Sequence, residues 1–140
     1  MNNEPIIVER IINAPSEKVW QAITDKNVMI KWGFDVTDFE PEVGFEFRIY
    51  ARKDDTVYEH ICVVQEVIEG KKLSYSWWYE GYVGDSLVTF ELFPEDGETK
   101  VRLTHEGIDT ISVNGPDFAR ENFVDGWTAI LGILKGIVEE

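Results

Sequence analysis

The sequence predicts an α+β fold in which a curved antiparallel β-sheet surrounds one long C-terminal α-helix. Helical apolar spacing occurs near both ends of the chain, and the region between alternates apolar with polar residues in short segments. Turn-forming residues separate these segments, which indicates successive antiparallel strands with one buried face. The predicted order is one strand, two short helices, five or six strands and a final helix.

The N-terminal part of the chain predicts a strand followed by two short helices. Residues 5–12 are rich in β-branched side chains, and Pro15 lies near the first helical position of the segment that follows. In each predicted helix the apolar residues recur at i, i+1 and i+4, which marks one buried face. They are Val19, Trp20 and Ile23 in the first helix and Val28, Met29 and Trp32 in the second.

The middle of the chain predicts a meander of strands. The segments with strand character are 45–49, 57–68, 73–77, 88–92 and 101–105. Turns are expected at Lys53-Asp54-Asp55 and, most clearly, at Pro94-Glu95-Asp96-Gly97. Alternation places Arg48 on the outer face of its strand, and Trp78 is also expected on an outer face.

The C-terminal part of the chain predicts a loop and then the longest helix. Residues 107–116 contain two glycines and a proline, which favours a loop, and a helical pattern runs from Phe118 to about Val138. The apolar stripe expected on this helix consists of Phe123, Trp127, Ile130, Leu134 and Ile137. A stripe of this length needs a large apolar partner, and the concave side of the sheet is the partner available.

Bulk properties narrow the classes of function. The 140 residues suit one domain, 1–140, and the formal net charge of −14 argues against binding to nucleic acid or to anionic membrane surfaces. No apolar run reaches the ~20 residues that cross a bilayer, and the N-terminus lacks a signal-peptide pattern, so a cytoplasmic location is expected. Cys62 is the only cysteine, which excludes an intramolecular disulfide and a cysteine-rich metal site.

Several local motifs, in this order, resemble those of a known superfamily. They are Asn13-Ala14-Pro15-Ser16-Glu17-Lys18-Val19-Trp20, Pro41-Glu42-Val43-Gly44-Phe45, Lys72-Leu73-Ser74-Tyr75-Ser76-Trp77, Leu103-Thr104-His105-Glu106-Gly107 and Gly126-Trp127. From about residue 6 to residue 138 the chain resembles the START-like (SRPBCC) superfamily, and within it the proteins similar to activator of Hsp90 ATPase homologue 1. The resemblance implies the helix-grip fold. Val43 replaces a glycine of the corresponding family motif.

A curved sheet with one helix is expected to leave a cavity, and the inward-facing residues are its predicted ligand-binding lining. They are Trp32, Phe45, Phe47, Tyr75, Trp77, Tyr79, Val88, Phe90, Leu103, His105, Phe123 and Trp127. The large aromatic side chains either line a ligand cavity or simply fill the space. Both interpretations agree with the pattern.

His105 is the titratable residue of greatest interest. Alternation with Val101 and Leu103 points it inward, where an imidazole either orients a ligand, acts as a general acid or base, or serves as a hydrogen-bonded core residue. The core interpretation, with a backbone or tyrosine partner, is favoured. No standard catalytic motif and no cluster with metal-ligand spacing is present, so neither catalytic residues, nor a cofactor, nor a metal site is predicted.

The favoured function is the binding of a small hydrophobic or amphipathic molecule. The resemblance implies two alternatives: an Hsp90-activator-like co-chaperone, and a cyclase- or dehydratase-type enzyme using Tyr75, Tyr79 and His105. Ala129, Gly132 and Gly136 form a smooth face on the last helix, which either contacts a second copy in a homodimer or is simply exposed; simple exposure is favoured.

Overall fold

The computed structural model describes residues 4–36, 38–53 and 56–139, and these form a seven-stranded antiparallel sheet with one long helix. The strands are β1 (Ile6–Ile12), β2 (Asp35–Val36), β3 (Glu46–Lys53), β4 (Thr56–Ile68), β5 (Lys72–Tyr79), β6 (Ser86–Glu95) and β7 (Glu98–Glu106). The helices are α1 (Ser16–Thr24), α2 (Lys26–Met29), α3 (Ile108–Ser112) and α4 (Arg120–Val138), with a 3-10 turn at Pro116–Phe118. The predicted α+β helix-grip class is confirmed. Of the predicted turn at 53–55, residues 54 and 55 lie outside the described residues.

The sheet follows the order β1-β7-β6-β5-β4-β3-β2, so consecutive strands from β2 to β7 are neighbours. Its concave face is apolar, as alternation predicts: Leu73, Tyr75, Trp77 and Tyr79 of β5 are all buried. The register between β4 and β5 shifts between Val64 and Glu66, and a bulge of this kind bends a strand and increases its twist. Arg48 lies outside and forms ion pairs with Glu46 and Glu59, as alternation predicts.

Helix α4 lies along β1, at one edge of the sheet. Near its start, Arg120 Nη1 donates to the carbonyl of Glu4 at 2.6 Å. Near its end, Lys135 Nζ donates to the carbonyl of Ile11 at 2.9 Å, and Glu139 Oε2 accepts from the backbone N–H of Asn13 at 2.8 Å. Side chains at the two ends of the helix therefore bind backbone groups of the edge strand β1 and of the residues that flank it.

The buried stripe of α4 differs from the predicted one. Phe123, Trp127 and Leu134 are buried as expected, and the other buried positions are Leu131 and Val138. Ile130 and Ile137, which were predicted in their place, are only half-buried. The predicted spacing follows a 3.5-residue repeat, whereas a straight helix drifts by ~20° per heptad from that repeat. The helix is rotated so that the centre of its buried face lies near Trp127, which leaves Ile130 at the flank.

The prediction of a loop at 107–116 is wrong in part, because α3 occupies Ile108–Ser112. Ile108 and Ile111 are both buried, one helical turn apart. Gly107, with a φ of 85°, precedes the helix, and Gly115 and Pro116 follow it. Glycine on both sides and the proline that follows predict a loop, and a helix of only five residues is too short to show a helical repeat in the sequence.

The β5–β6 connection is fastened to α3. Thr110 Oγ1 accepts from the N–H of Asp85 at 3.0 Å and donates to its carbonyl at 2.8 Å, while Asn114 Nδ2 donates to the carbonyl of Val83 at 2.7 Å. Gly84 lies between these contacts with a φ of 108°, and a Cβ at this position would lie 2.4 Å from the carbonyl oxygen of Thr110. Only glycine fits here.

None of the helices in the described ranges is long and apolar enough to cross a membrane.

We expect Gly84→Ala to lower the free energy of unfolding markedly more than Gly81→Ala. Both glycines have positive φ, so both substitutions impose backbone strain of about 1–2 kcal/mol. Only Gly84 faces a backbone clash, because nothing lies within 4 Å of a Cβ built at Gly81. The clash should add about 1–3 kcal/mol, measured by urea denaturation. Equal losses in the two variants would contradict this close approach.

Candidate functional site

A half-open cavity of about 380 Å³ lies between strands β3–β5 and the N-terminal half of α4. Small-molecule sites in proteins typically measure about 300–1,000 Å³. The lining residues are Ala51, Tyr58, His60, Trp77, Tyr79, Asp117, Phe118, Asn122, Phe123, Gly126, Trp127 and Ile130. Six of these are Phe, Tyr or Trp, so the wall is largely aromatic.

Four of the residues predicted from the sequence line this cavity: Trp77, Tyr79, Phe123 and Trp127. The other eight belong to the packed core or lie against it: Trp32, Phe45, Phe47, Tyr75, Val88, Phe90, Leu103 and His105. They fill the middle of the concave face, where, for example, Trp32 contacts Phe90 with ring centroids 6.2 Å apart. The ligand-binding role of the twelve residues stays a prediction.

The predicted lining lacks the remaining residues, although Ile130 belongs to the predicted apolar stripe and His60 had a detectable signal. Tyr58, His60 and Cys62 alternate along β4 in the same way as the inward residues of β5, so the inward direction of His60 follows from the pattern. Asp117 and Asn122 had no such signal. Their position depends on the 3-10 turn and on the start of α4, which sequence spacing does not fix.

His105 is fully buried and hydrogen-bonded at both ring nitrogens. Trp127 Nε1 donates to Nδ1 at 3.0 Å, and Nε2 lies 2.8 Å from Ser86 Oγ. Because an indole N–H only donates, Nδ1 is the acceptor and the proton is on Nε2, which donates to Ser86. The Ser86 hydroxyl donates in turn to the carbonyl of Trp77 at 2.6 Å. This arrangement favours the core interpretation, with serine and tryptophan partners instead of backbone or tyrosine.

Burial keeps His105 uncharged. Desolvation, with a smaller contribution from nearby His60, lowers its pKa to about 3. Protonation would also put a second N–H against the indole N–H of Trp127 and break that hydrogen bond. The network therefore holds α4 to the sheet only while the imidazole is neutral.

His60 presents a different arrangement, because its ring forms part of the cavity wall. Its Nδ1 lies 2.9 Å from the carbonyl oxygen of Ile49, and a carbonyl only accepts, so Nδ1 carries the proton. In the neutral ring Nε2 is then a hydrogen-bond acceptor. Desolvation, opposed in part by the backbone groups of Ile49 and Tyr58, lowers the pKa of His60 to about 4. The ring packs beside Trp77 and Tyr79, with centroids 4.7 and 4.5 Å away.

The mouth of the cavity carries polar groups. Tyr58 Oη donates to Asp117 Oδ2 at 2.7 Å, and this hydrogen bond to a carboxylate is the main reason that the pKa of Tyr58 rises to about 12. Asn122 Nδ2 donates to the carbonyl of Pro116 at 2.9 Å. Phe118 packs against Tyr58 with ring centroids 5.4 Å apart. The 3-10 turn is thereby fastened over the end of the sheet.

Two tyrosines of β5 differ in how their hydroxyl groups are satisfied. Tyr79 Oη accepts from Trp77 Nε1 at 3.1 Å. Tyr75 Oη is buried and, within the described part of the chain, has no hydrogen-bond partner. Burial raises the pKa of both phenols, so both remain protonated.

Among the described residues, no three His, Cys, Asp or Glu side chains are placed to hold a metal ion.

The curved sheet, its long helix and the half-open cavity between them define a START-like (SRPBCC) protein of the helix-grip fold. Residues 13–139 match the model of one family within this class, described as activator of Hsp90 ATPase homolog 1-like protein. The chain belongs to that family.

Solved structures share the whole fold. Protein CV1439 from Chromobacterium violaceum is 26% identical, with a TM-score of 0.84 over 100% of this chain and 99% of that one. Protein MLL2253 from Mesorhizobium loti is 28% identical, with a TM-score of 0.78 over 97% of each chain. CalU16 from Micromonospora echinospora is 25% identical, with a TM-score of 0.73 over 96% of this chain and 75% of that one. No curated protein matches the sequence.

We expect stability to fall as the pH is lowered through the range in which unfolded histidine takes up a proton. The unfolded chain binds protons at both histidines below about pH 6.5, whereas the folded chain stays neutral down to about pH 4 at His60 and about pH 3 at His105. Near pH 5.5 almost two protons enter on unfolding, a slope of about 2.5 kcal/mol per pH unit. Urea denaturation between pH 5 and 8 measures this slope.

The matched variant for the pH experiment is His60→Phe, which removes one titrating group. It should halve the slope near pH 5.5, because His105 is the only other histidine in the chain. An unchanged slope would show that His60 is not held neutral in the folded protein.

We expect Tyr75→Phe to leave the free energy of unfolding unchanged or to raise it by up to about 1 kcal/mol, because it removes a buried hydroxyl that lacks a partner. Tyr79→Phe should lower it by about 1 kcal/mol, because Trp77 Nε1 loses its acceptor. Chemical denaturation of both variants gives the comparison. If Tyr75→Phe lowered the free energy of unfolding more than Tyr79→Phe, the Tyr75 hydroxyl would have a hydrogen-bond partner after all.

Proposed function

We propose that the protein binds a small, largely apolar molecule in the cavity between strands β3–β5 and α4. One observation carries the proposal: a half-open cavity of about 380 Å³ has a largely aromatic wall. Burial of apolar surface contributes roughly 25 cal/mol per Å². Part of this gain is offset by the entropy lost on association, so a micromolar affinity is expected.

Two features of the wall suit reversible binding. Its two tryptophans, Trp77 and Trp127, are each held by a hydrogen bond from the indole N–H, so a ligand would meet a preformed surface. The mouth is bordered by Tyr58, Asp117 and Asn122, which gives the ligand a path that leaves the core intact. A rigid wall reduces the ordering cost of binding.

A second candidate function comes from the family to which the chain belongs, whose description names an Hsp90 ATPase activator. Under this proposal the protein would bind an Hsp90-type chaperone and raise its ATP turnover. Measurement of chaperone ATP hydrolysis with and without this protein tests it directly. No change in turnover at saturating protein would count against it.

We expect the uncharged dye N-phenyl-1-naphthylamine to bind in the cavity and to receive excitation energy from Trp77 and Trp127, which line it. Gly126→Phe should weaken binding at least about tenfold, a change of 1.4 kcal/mol, because Gly126 lies in the cavity wall. The readout is dye fluorescence on titration with excitation of tryptophan.

The control for this experiment is Gly136→Phe. Gly136 lies on the same helix, is exposed, and, like Gly126, has nothing within 4 Å of a built Cβ, but it does not line the cavity. Its variant should bind the dye as the unmodified chain does. Ala51→Phe introduces a ring from the opposite wall, on β3, and should also weaken binding. Undiminished binding in both wall variants would show that the dye binds elsewhere.

A further inference from the structure

We infer that the cavity selects uncharged ligands that present a hydroxyl group to the His60–Tyr79 pair, and that it discriminates against carboxylates of the same shape. This inference rests on the proposed binding function and specifies the chemistry of that same site. It follows from which polar atoms of the wall have hydrogens to donate and which have lone pairs to offer.

His60 supplies the acceptor. Its Nδ1–H is committed to the carbonyl of Ile49, so Nε2 of a ring that lines the cavity carries a lone pair. A lone pair attracts an O–H and repels the oxygen of an ether or carboxylate. The imidazole is packed against the rings of Trp77 and Tyr79, which restricts its rotation.

Tyr79 supplies the donor. Its hydroxyl oxygen accepts from Trp77 Nε1, which leaves the phenolic hydrogen for another partner. The centroids of the Tyr79 and His60 rings are 4.5 Å apart, so the two polar side chains are neighbours in one wall. Together they offer one acceptor and one donor. A hydroxyl group, which both donates and accepts, satisfies them together.

The rest of the wall disfavours negative charge. No Lys or Arg is found among the described residues that line the cavity, and the carboxyl group of Asp117 lies at its mouth. The hydroxyl hydrogen of Tyr58 is committed to that carboxylate, and the side-chain amide of Asn122 donates to backbone carbonyls. The indole N–H of Trp127 is committed to His105. A buried carboxylate would therefore find no cation, and such burial is costly. The net charge of the chain, −14, also repels an anionic ligand.

The test compares three probes that share one ring system: 2-naphthol, 2-methoxynaphthalene and 2-naphthoate. Their affinities are measured at pH 7 by displacement of N-phenyl-1-naphthylamine. Naphthol donates and accepts, the methyl ether only accepts, and naphthoate is charged. We expect naphthol to bind about tenfold more tightly than the ether, and naphthoate to bind at least about tenfold more weakly than the ether.

The matched variant is His60→Phe, which keeps an aromatic ring in the wall and removes the acceptor. It should abolish the advantage of naphthol over the ether, because the acceptor that distinguishes the two probes is gone; the readout is the ratio of the two affinities within each protein. Equal affinities of the unmodified chain for naphthol and the ether, or an advantage that persists in His60→Phe, would overturn the inference while leaving apolar binding intact. A failure of all three probes and the dye to bind would instead overturn the proposed function. Should His60→Phe not fold, the ranking of the three probes on the unmodified chain decides alone.

Discussion

One long helix lies against a concave face seven strands wide, with the short α1 and α2 beside it, and the rest of the structure follows from that mismatch. An α-helix with its side chains is roughly 10–12 Å across, whereas seven strands spaced about 4.8 Å apart extend over roughly 30 Å. Arg120 and Lys135 hold α4 against the edge strand β1, so the uncovered part of the sheet lies over strands β3–β5. Aromatic side chains reach across part of this gap, and the remainder is the cavity.

The position of the helix is fixed by a chain of hydrogen bonds at the centre of the molecule. Trp127 of α4 donates to His105, which donates to Ser86, which donates to the backbone of Trp77. Trp77 and Trp127 are also walls of the cavity. The shape of the site therefore depends on a neutral imidazole that does not itself line the cavity. His105 thus links the position of α4 to the shape of the cavity.

The sequence predicted the fold well because its signals are local. Alternation in 73–77 and 101–105 identified the buried face of each strand, including the inward direction of His105, and turn residues separated the strands. Local signals do not say where along that face the helix lies. Alternation therefore predicts a cavity lining at Phe47, Tyr75 and Phe90, although these side chains belong to the packed core. Phe39 packs against Phe47, and Trp32 packs against Phe90. The same limit applies to Ile130, because helical rotation is decided by tertiary packing.

The attachment of α4 to β1 has a consequence for the failure of the fold. The helix covers both the apolar concave face and the unpaired backbone of an edge strand, so its detachment exposes the two at once. An open strand edge beside bare apolar surface is a template for association with another chain. Under the proposed function, a ligand that exchanges through the mouth, at the opposite side of the helix from β1, would avoid that state. The half-open side of the cavity and the β1 edge where the helix is attached are thus different parts of the surface.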